Sequence, residues 1–257
     1  MRHPRLAAVV ERRLLINYRA DPVVVAALLP DRLRPQLVSD VAVVGVCFMR
    51  LGRLRPLGWP SAFSVSSESA AHRIAVEWDD ADGTRSGVYI PRRDSSSPLS
   101  VVAGGRLFPG VHHRADFDVA ETDDSFRVAF SARDGSASAA VAATMSPTLG
   151  GRLFSGAEDA SAFFQAGAVG FSPLRAGCGL KGVELRTDRW AIEPVKVEHA
   201  ESTFFTDPKR FPPGSVELDC GLVMRQVPVT WAPVGTLDEE RASPVEGPAS
   251  LQGAGTR

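Results

Sequence analysis

Apolar residues in this chain fall mainly into short runs and period-two alternations separated by turn residues. That is the pattern of strands rather than of amphipathic helices. Val41 to Met49 is a continuous apolar run and predicts a buried strand. Further strands are predicted over Leu14–Tyr18, His72–Trp78, Gly87–Pro91, Val111–Phe117, Ser125–Ala132 and Ser138–Met145. Later candidates are Gly182–Arg186, Val195–Ser202 and Val216–Val229. Asp134-Gly135 reads as a hairpin turn, as does Asp79-Asp80-Ala81-Asp82-Gly83. Helices are few. Asp21-Pro22 supplies a cap and a first-turn proline for a short helix over Val23–Leu29, stopped at Pro30. Leu99–Phe108 and Glu158–Ala166 are further candidates, and Phe204–Phe211 could add a turn. These elements predict one β-rich α+β domain over residues 1–238. The tail 239–257 is rich in Glu, Ala, Ser, Pro and Gly without apolar periodicity, and is expected to be disordered.

A hydrophobic content of 44% is enough for a sizeable core. The net charge of −1 carries no basic footprint for nucleic acid. Of 29 basic residues only Lys181, Lys196 and Lys209 are lysines, and the Arg-Arg pairs at 12–13 and 92–93 read as isolated, solvated charges. Cys47, Cys178 and Cys220 form no C-x-x-C motif, which argues for core thiols in a reducing compartment. The apolar stretch Leu6–Val10 is too short for a signal-peptide core, and no segment approaches the ~18 apolar residues of a membrane span. The expectation is a cytoplasmic protein with a small-molecule ligand and neither nucleic acid nor membrane as partner. Homo-oligomerisation is left open.

Neighbouring strand residues face opposite ways. Along the strand at 111–117, Val111, His113, Ala115 and Phe117 share an apolar face, so His113 is expected to point inward and His112 outward. The same count groups Glu68, Ala70 and His72 with Ile74, Val76 and Trp78, leaving Arg73 and Glu77 opposite. An interior carboxylate is costly unless paired or protonated. Glu68 and His113 thus form a candidate acid/base pair. A hydrogen-bonded polar pair filling the interior is the bland alternative. Gly177-Cys178-Gly179-Leu180-Lys181-Gly182 fits G-x-G-x-x-G but lies in no βαβ unit, so no dinucleotide is expected. His113, His72 and Glu68 could be arranged as a two-His, one-carboxylate set, but such trios are mostly coincidental. Asp79–Gly83 lacks the distal Glu of a calcium loop. No metal and no cofactor is expected.

Several segments, in a shared order, carry a family resemblance. These are Asn17-Tyr18-Arg19-Ala20-Asp21-Pro22, Ser66-Ser67-Glu68-Ser69, Gly87-Val88-Tyr89-Ile90 and Ala103-Gly104-Gly105-Arg106-Leu107-Phe108 followed by Gly110-Val111-His112-His113-Arg114. Over about residues 8–235 the chain resembles the acetoacetate-decarboxylase-like superfamily. It is most similar to the uncharacterised YqjF-like domain-of-unknown-function branch. The resemblance implies a curved antiparallel sheet or barrel around a central pocket, with few peripheral helices. It also implies that Glu68 lines the pocket. Arg106, His72 and Tyr89 become candidate substrate-binding residues beside Glu68 and His113. Where the family's segment ends in a pair of lysines, the matching columns here hold His112, His113 and Arg114 and no lysine, and a histidine cannot form the carbon–nitrogen double bond of a Schiff base. The family's carboxylate-holding arginine falls at Glu11, with Arg12 and Arg13 beside it. The expected function is acid/base chemistry of lyase, hydratase or isomerase type on a small oxo- or carboxylate-bearing metabolite. The alternative is a non-catalytic small-molecule-binding or structural protein that retains the pocket.

Overall fold

A computed structural model of the chain describes residues 5–98, 109–174 and 179–237. The predicted helix 99–108 with Arg106, Cys178 and the tail from 239 lie outside the described residues. The strands are β1 (Leu6–Ala20), β2 (Arg34–Pro35), β3 (Leu37–Val38), β4 (Val41–Pro56), β5 (Val65–Asp80), β6 (Gly83–Ser95) and β7 (His112–Glu121). They continue with β8 (Ser125–Ala132), β9 (Ser138–Met145), β10 (Val169–Pro173), β11 (Leu180–Arg186), β12 (Glu193–Ser202) and β13 (Val216–Leu237). Helix α1 covers Pro22–Ala26 and α2 covers Ala157–Ala166. Phe204–Phe211 forms turns rather than a helix.

Local chemistry explains the boundaries. The Asp21 carboxylate accepts hydrogen bonds from the Val23 and Val24 amides at 2.7 and 3.4 Å, and Pro22 opens α1. The helix ends three residues earlier than its apolar run. Leu28 and Leu29 donate to Val25 and Ala26 instead, in tighter turns ahead of Pro30. Gly83, at φ 118°, and Gly135, at φ 69°, sit at the two hairpin turns predicted from the sequence. β1 begins eight residues before its predicted start, because Leu6, Ala8 and Val10 alternate with half-buried neighbours and all three pair with β13, Leu6 and Val10 with β4 as well.

The pairing closes two rings that share a wall. β5–β6–β7–β8–β9–β12–β13–β1–β4 returns to β5 in a nine-stranded ring. β6–β10–β11–β13–β1–β4–β5 returns to β6 in a seven-stranded one. The wall β13–β1–β4–β5–β6 therefore has two interior faces. This explains why Val41–Phe48 is buried almost throughout rather than alternating. The nine-stranded ring is filled by even-numbered wall residues such as Leu14, Ile16, Phe48 and Ile74, packed on Phe130, Phe204 and Phe205. The other face carries smaller apolar clusters, one of them around Val43, Ala75 and Leu153. Another is built around Leu51, Leu54 and Trp231, and a third around Leu15, Cys47 and Phe164.

A bulge sets which residues reach which face. β1 slips against β4 between Val10 and Arg12. Val10 accordingly packs in the Leu51–Trp231 cluster while Arg12 and Leu14 turn into the nine-stranded ring. A second slip, between Leu51 and Leu54, keeps both of those leucines on the seven-stranded side.

Candidate functional site

The two arginine pairs expected to be solvated are instead divided between the two rings. On the nine-stranded side Arg12, only 2% exposed, donates to Glu68 at 2.5 Å and to Glu121 at 2.7 Å. Arg50 donates to Glu68 at 2.5 Å and also to Glu121. Two guanidiniums and two carboxylates thus form a closed, charge-neutral ring. Arg92 grips the fully buried Asp94 through two bonds of 2.8 and 2.7 Å. Burial pushes the Asp94 carboxyl upward, and Arg92 opposes that shift.

Arg13 and Arg93, the chain neighbours, face a cleft of about 100 Å³ on the seven-stranded side, together with Arg73. That volume has room for several water molecules or a small organic molecule. Much of its wall is apolar, with Met49, Leu51, Ile90, Val183, Trp190 and Trp231 among the lining residues together with Phe164 of α2. Asp94 is the only carboxylate among the described lining residues, and Arg92 occupies it. The three cations therefore have no anionic partner among the described residues. Arg73 is 3% exposed, lies over the Phe164 ring with its guanidinium carbon 4.7 Å from the centroid, and donates to the neutral Asn17 amide oxygen. Its Nε, like that of Arg13, is buried without an acceptor among the described residues. Gly45 leaves the room this guanidinium needs, since a Cβ there would meet it at 3.2 Å. Arg93 donates to Ser172 at 3.3 Å. Desolvation lowers both Arg73 and Arg93 to about 10. Both remain cations at neutral pH, held where a charge is poorly solvated.

His112 lines this cleft, opposite Arg93 in the parallel pairing of β6 with β7. His113 shares the face of Ala115 and Phe117, as its periodicity predicts. Its ring, however, sits at a rim and bonds Asp134 at 3.2 Å, with the side chain 30% exposed. The expectation that His113 rather than His112 meets the pocket is therefore corrected. The nine-stranded interior is packed with aromatic rings, and the cleft lies behind it. Glu68 lies on the predicted face but is held by Arg12 and Arg50. His72 is fully buried, donating to or accepting from Ser202 Oγ at 2.8 Å and stacked on Phe204 at 4.5 Å between centroids. Burial lowers its pKa to about 3, so it stays neutral. Tyr89 is buried in the same core. Glu68, His72, Tyr89 and His113 do not line the cleft. The sequence reading missed Arg13, Arg73, Arg93 and His112 as a group. The signal for them was the fully apolar run in β4, which means that residues opposite the main core are also inside.

No lysine is found among the described lining residues; Lys196 and Lys209 are exposed. No described cluster of His, Cys, Asp and Glu could hold a metal ion, and no described helix is long and apolar enough to cross a membrane.

Comparison with solved structures gives the same architecture. Acetoacetate decarboxylase from Legionella pneumophila matches with a TM-score of 0.58 at 13% identity, covering 93% of this chain and 89% of that one. An acetoacetate decarboxylase-like enzyme from Sphingomonas wittichii RW1 matches at 0.60 and 14%, covering 93% and 94%. The enduracididine biosynthesis enzyme MppR, complexed with pyruvate, matches at 0.57 and 13%, covering 95% and 93%. At these identities the likeness establishes the fold. No curated protein matches the chain. Residues 8–219 match DUF2071, described as an uncharacterized conserved protein, and the chain belongs to that family.

Proposed function

We propose that the cleft captures a small carboxylate- or oxo-carboxylate-bearing molecule and that His112 moves a proton on it, without imine chemistry. The observation that carries this reading is the set of three guanidiniums, Arg13, Arg73 and Arg93, facing one cleft with no free carboxylate among the described lining residues. A guanidinium presents a planar fork of donors that matches a carboxylate, and in a desolvated cleft each such bond is strengthened. His112 is the lining group whose ordinary pKa lies nearest neutrality, which suits proton transfer next to a carbonyl. The fold of MppR, a protein seen with pyruvate, supports a 2-oxo acid as the first probe.

The reading is tested by melting the purified protein with millimolar pyruvate, acetate and their neutral amides, and by following deuterium exchange at C3 of pyruvate by NMR. The acids are expected to raise the melting temperature and the amides are not. Arg93→Gln should weaken the acids at least tenfold, while Glu68→Gln, on the other ring, leaves their affinity within twofold. His112→Gln should slow exchange without loosening binding. Equal shifts from acids and amides, or none from either, would sink the proposal. Acid binding with no exchange would leave the chain a non-catalytic binder.

A further inference from the structure

The cleft is graded along its length, and the gradient constrains what fits. We infer that its ligand is an amphipathic carboxylate, an anionic head joined to an alkyl or aryl body, rather than a compact acid. The inference rests on the anion-site reading above and adds the class of molecule.

The strand register supplies the gradient. At one end Gly45 pairs with Arg73, and Cys47 pairs with Ala71, which pairs in turn with Arg93. Arg13 reaches the same region from β1, where it pairs with Met49. Moving along β4, the side chains on this face change from Cys47 to Met49, Leu51 and Leu54, and β5 contributes only Ser69 and Ser67. From Cys47 to Leu51 is four residues, roughly 13 Å of strand. Beyond that point the cleft is walled by Val183, Leu185 and Trp231. The described lining cations therefore sit between the levels of Gly45 and Met49, and past them the cleft is lined by apolar side chains with Ser67 as the polar exception. A two- or three-carbon acid held at the arginines would leave that stretch filled only with water.

A second observation points the same way. Trp190 packs against both the Leu51 and the Leu15 clusters, so it stands between the cationic and apolar ends. Its indole N–H is buried without an acceptor among the described residues. A buried indole N–H normally finds a partner. A ligand body that passes Trp190 and carries an oxygen there supplies one. Arg73, with its buried unpartnered Nε, marks the head end in the same manner.

The test is a calorimetric series on the full chain with pyruvate, 2-oxobutanoate, 2-oxohexanoate and phenylpyruvate. Affinity should rise with each buried methylene, by at most about fourfold per group. Phenylpyruvate should bind at least tenfold more tightly than pyruvate. Trp190→Ala should erase most of that gain and leave pyruvate within twofold. Should that variant not fold, Leu185→Asn at the apolar end serves the same purpose, and the wild-type series decides alone in any case. If pyruvate binds but the series is flat or falls with size, the amphipathic class is wrong while the anion site stands. If no member binds, the anion site falls and the ligand class falls with it.

Discussion

Arg12 and Arg13 are chain neighbours, as are Arg92 and Arg93, yet the two members of each pair meet opposite electrostatic conditions. Arg12 and Arg92 enter the nine-stranded ring and find Glu68, Glu121 and Asp94 waiting. Arg13 and Arg93 enter the seven-stranded ring and, with Arg73, find aromatic faces, a serine and an amide. A buried ion pair with good geometry roughly balances its desolvation, so the first arrangement ties strands together without needing anything else. A buried guanidinium with neutral partners does not recover that loss. The fold keeps one such guanidinium, Arg73, and two half-buried ones, Arg13 and Arg93, on one cleft, and on the reading proposed above an incoming anion would recover the loss. The comparison separates charges that hold the sheet together from charges that, on that proposed reading, await a ligand.

The sharpest way to break the comparison is to remove one cation from the compensated side. Arg12→Met leaves Glu68 and Glu121 sharing Arg50 alone at a site where Arg12 is almost inaccessible. Breaking a buried pair by removing one partner costs about 3–5 kcal/mol. Urea denaturation should show a loss of that size. A loss below about 1 kcal/mol would mean that the ring of charges is weakly coupled to the fold.

Buried His72 gives the next effect, through pH. Its folded pKa of about 3 lies below its ordinary value of 6.5, so between those values the unfolded chain binds the proton more readily. Stability from this group is present above pH 6.5 and is lost as pH falls toward 3, by up to about 1.4 kcal/mol per pH unit. His72→Gln should flatten the slope of stability between pH 6.5 and 4 relative to the parent chain. An unchanged slope would place the acid sensitivity elsewhere.

Much of this organisation was legible beforehand. The Asp21-Pro22 helix start, the Gly83 and Gly135 turns and most strand positions follow from local chemistry that acts over two to four residues. The even face of β5 was also correct, with Ala70, His72, Ile74, Val76 and Trp78 all buried in the main core ring. Period two assigns a residue to one face or the other, but it cannot say what covers each face. Arg73 was placed opposite the core, and it is. What covers that side is β10, β11 and the end of β13. The pairing of Leu180–Arg186 with Thr230–Leu237 that completes the second ring is non-local. β10 itself is five residues containing Gly170 and Pro173, too short and irregular to announce itself. The Glu11 slip compounds the difficulty, since it exchanges the faces of everything before it in β1.

A substitution on the uncompensated side sharpens the comparison from the other direction. Arg13 makes no hydrogen bond or ion pair among the described residues, and its Nε is buried. Arg13→Met keeps the stem that packs in the cleft and removes only the charge. Stability should change by no more than about 0.5 kcal/mol, of either sign, while pyruvate affinity falls at least threefold. A large loss of stability with unaltered affinity would place Arg13 among the structural charges and undo the division between the two rings.

The smallest expected effect is none at all. Acetoacetate or pyruvate with borohydride should leave the intact mass of the protein unchanged, because trapping requires an amine that can condense with the carbonyl and be reduced. His112 lies at the cleft and cannot do so, and the described lining residues include no lysine. Lys196 and Lys209 point to solvent, and Lys181 is half-buried on β11 without lining the cleft. Mass spectrometry of the treated protein, followed by peptide mapping, checks this directly. A stoichiometric adduct on Lys181 would show that this side chain can swing into the cleft from the adjacent strand. The three arginines would then serve to lower the pKa of an amine nucleophile as well as to hold a carboxylate, and the proton transfer assigned to His112 would pass to an imine. An unmodified protein that still exchanges deuterium into pyruvate would separate the two chemistries, leaving a cationic cleft and one imidazole to labilise the C–H bond.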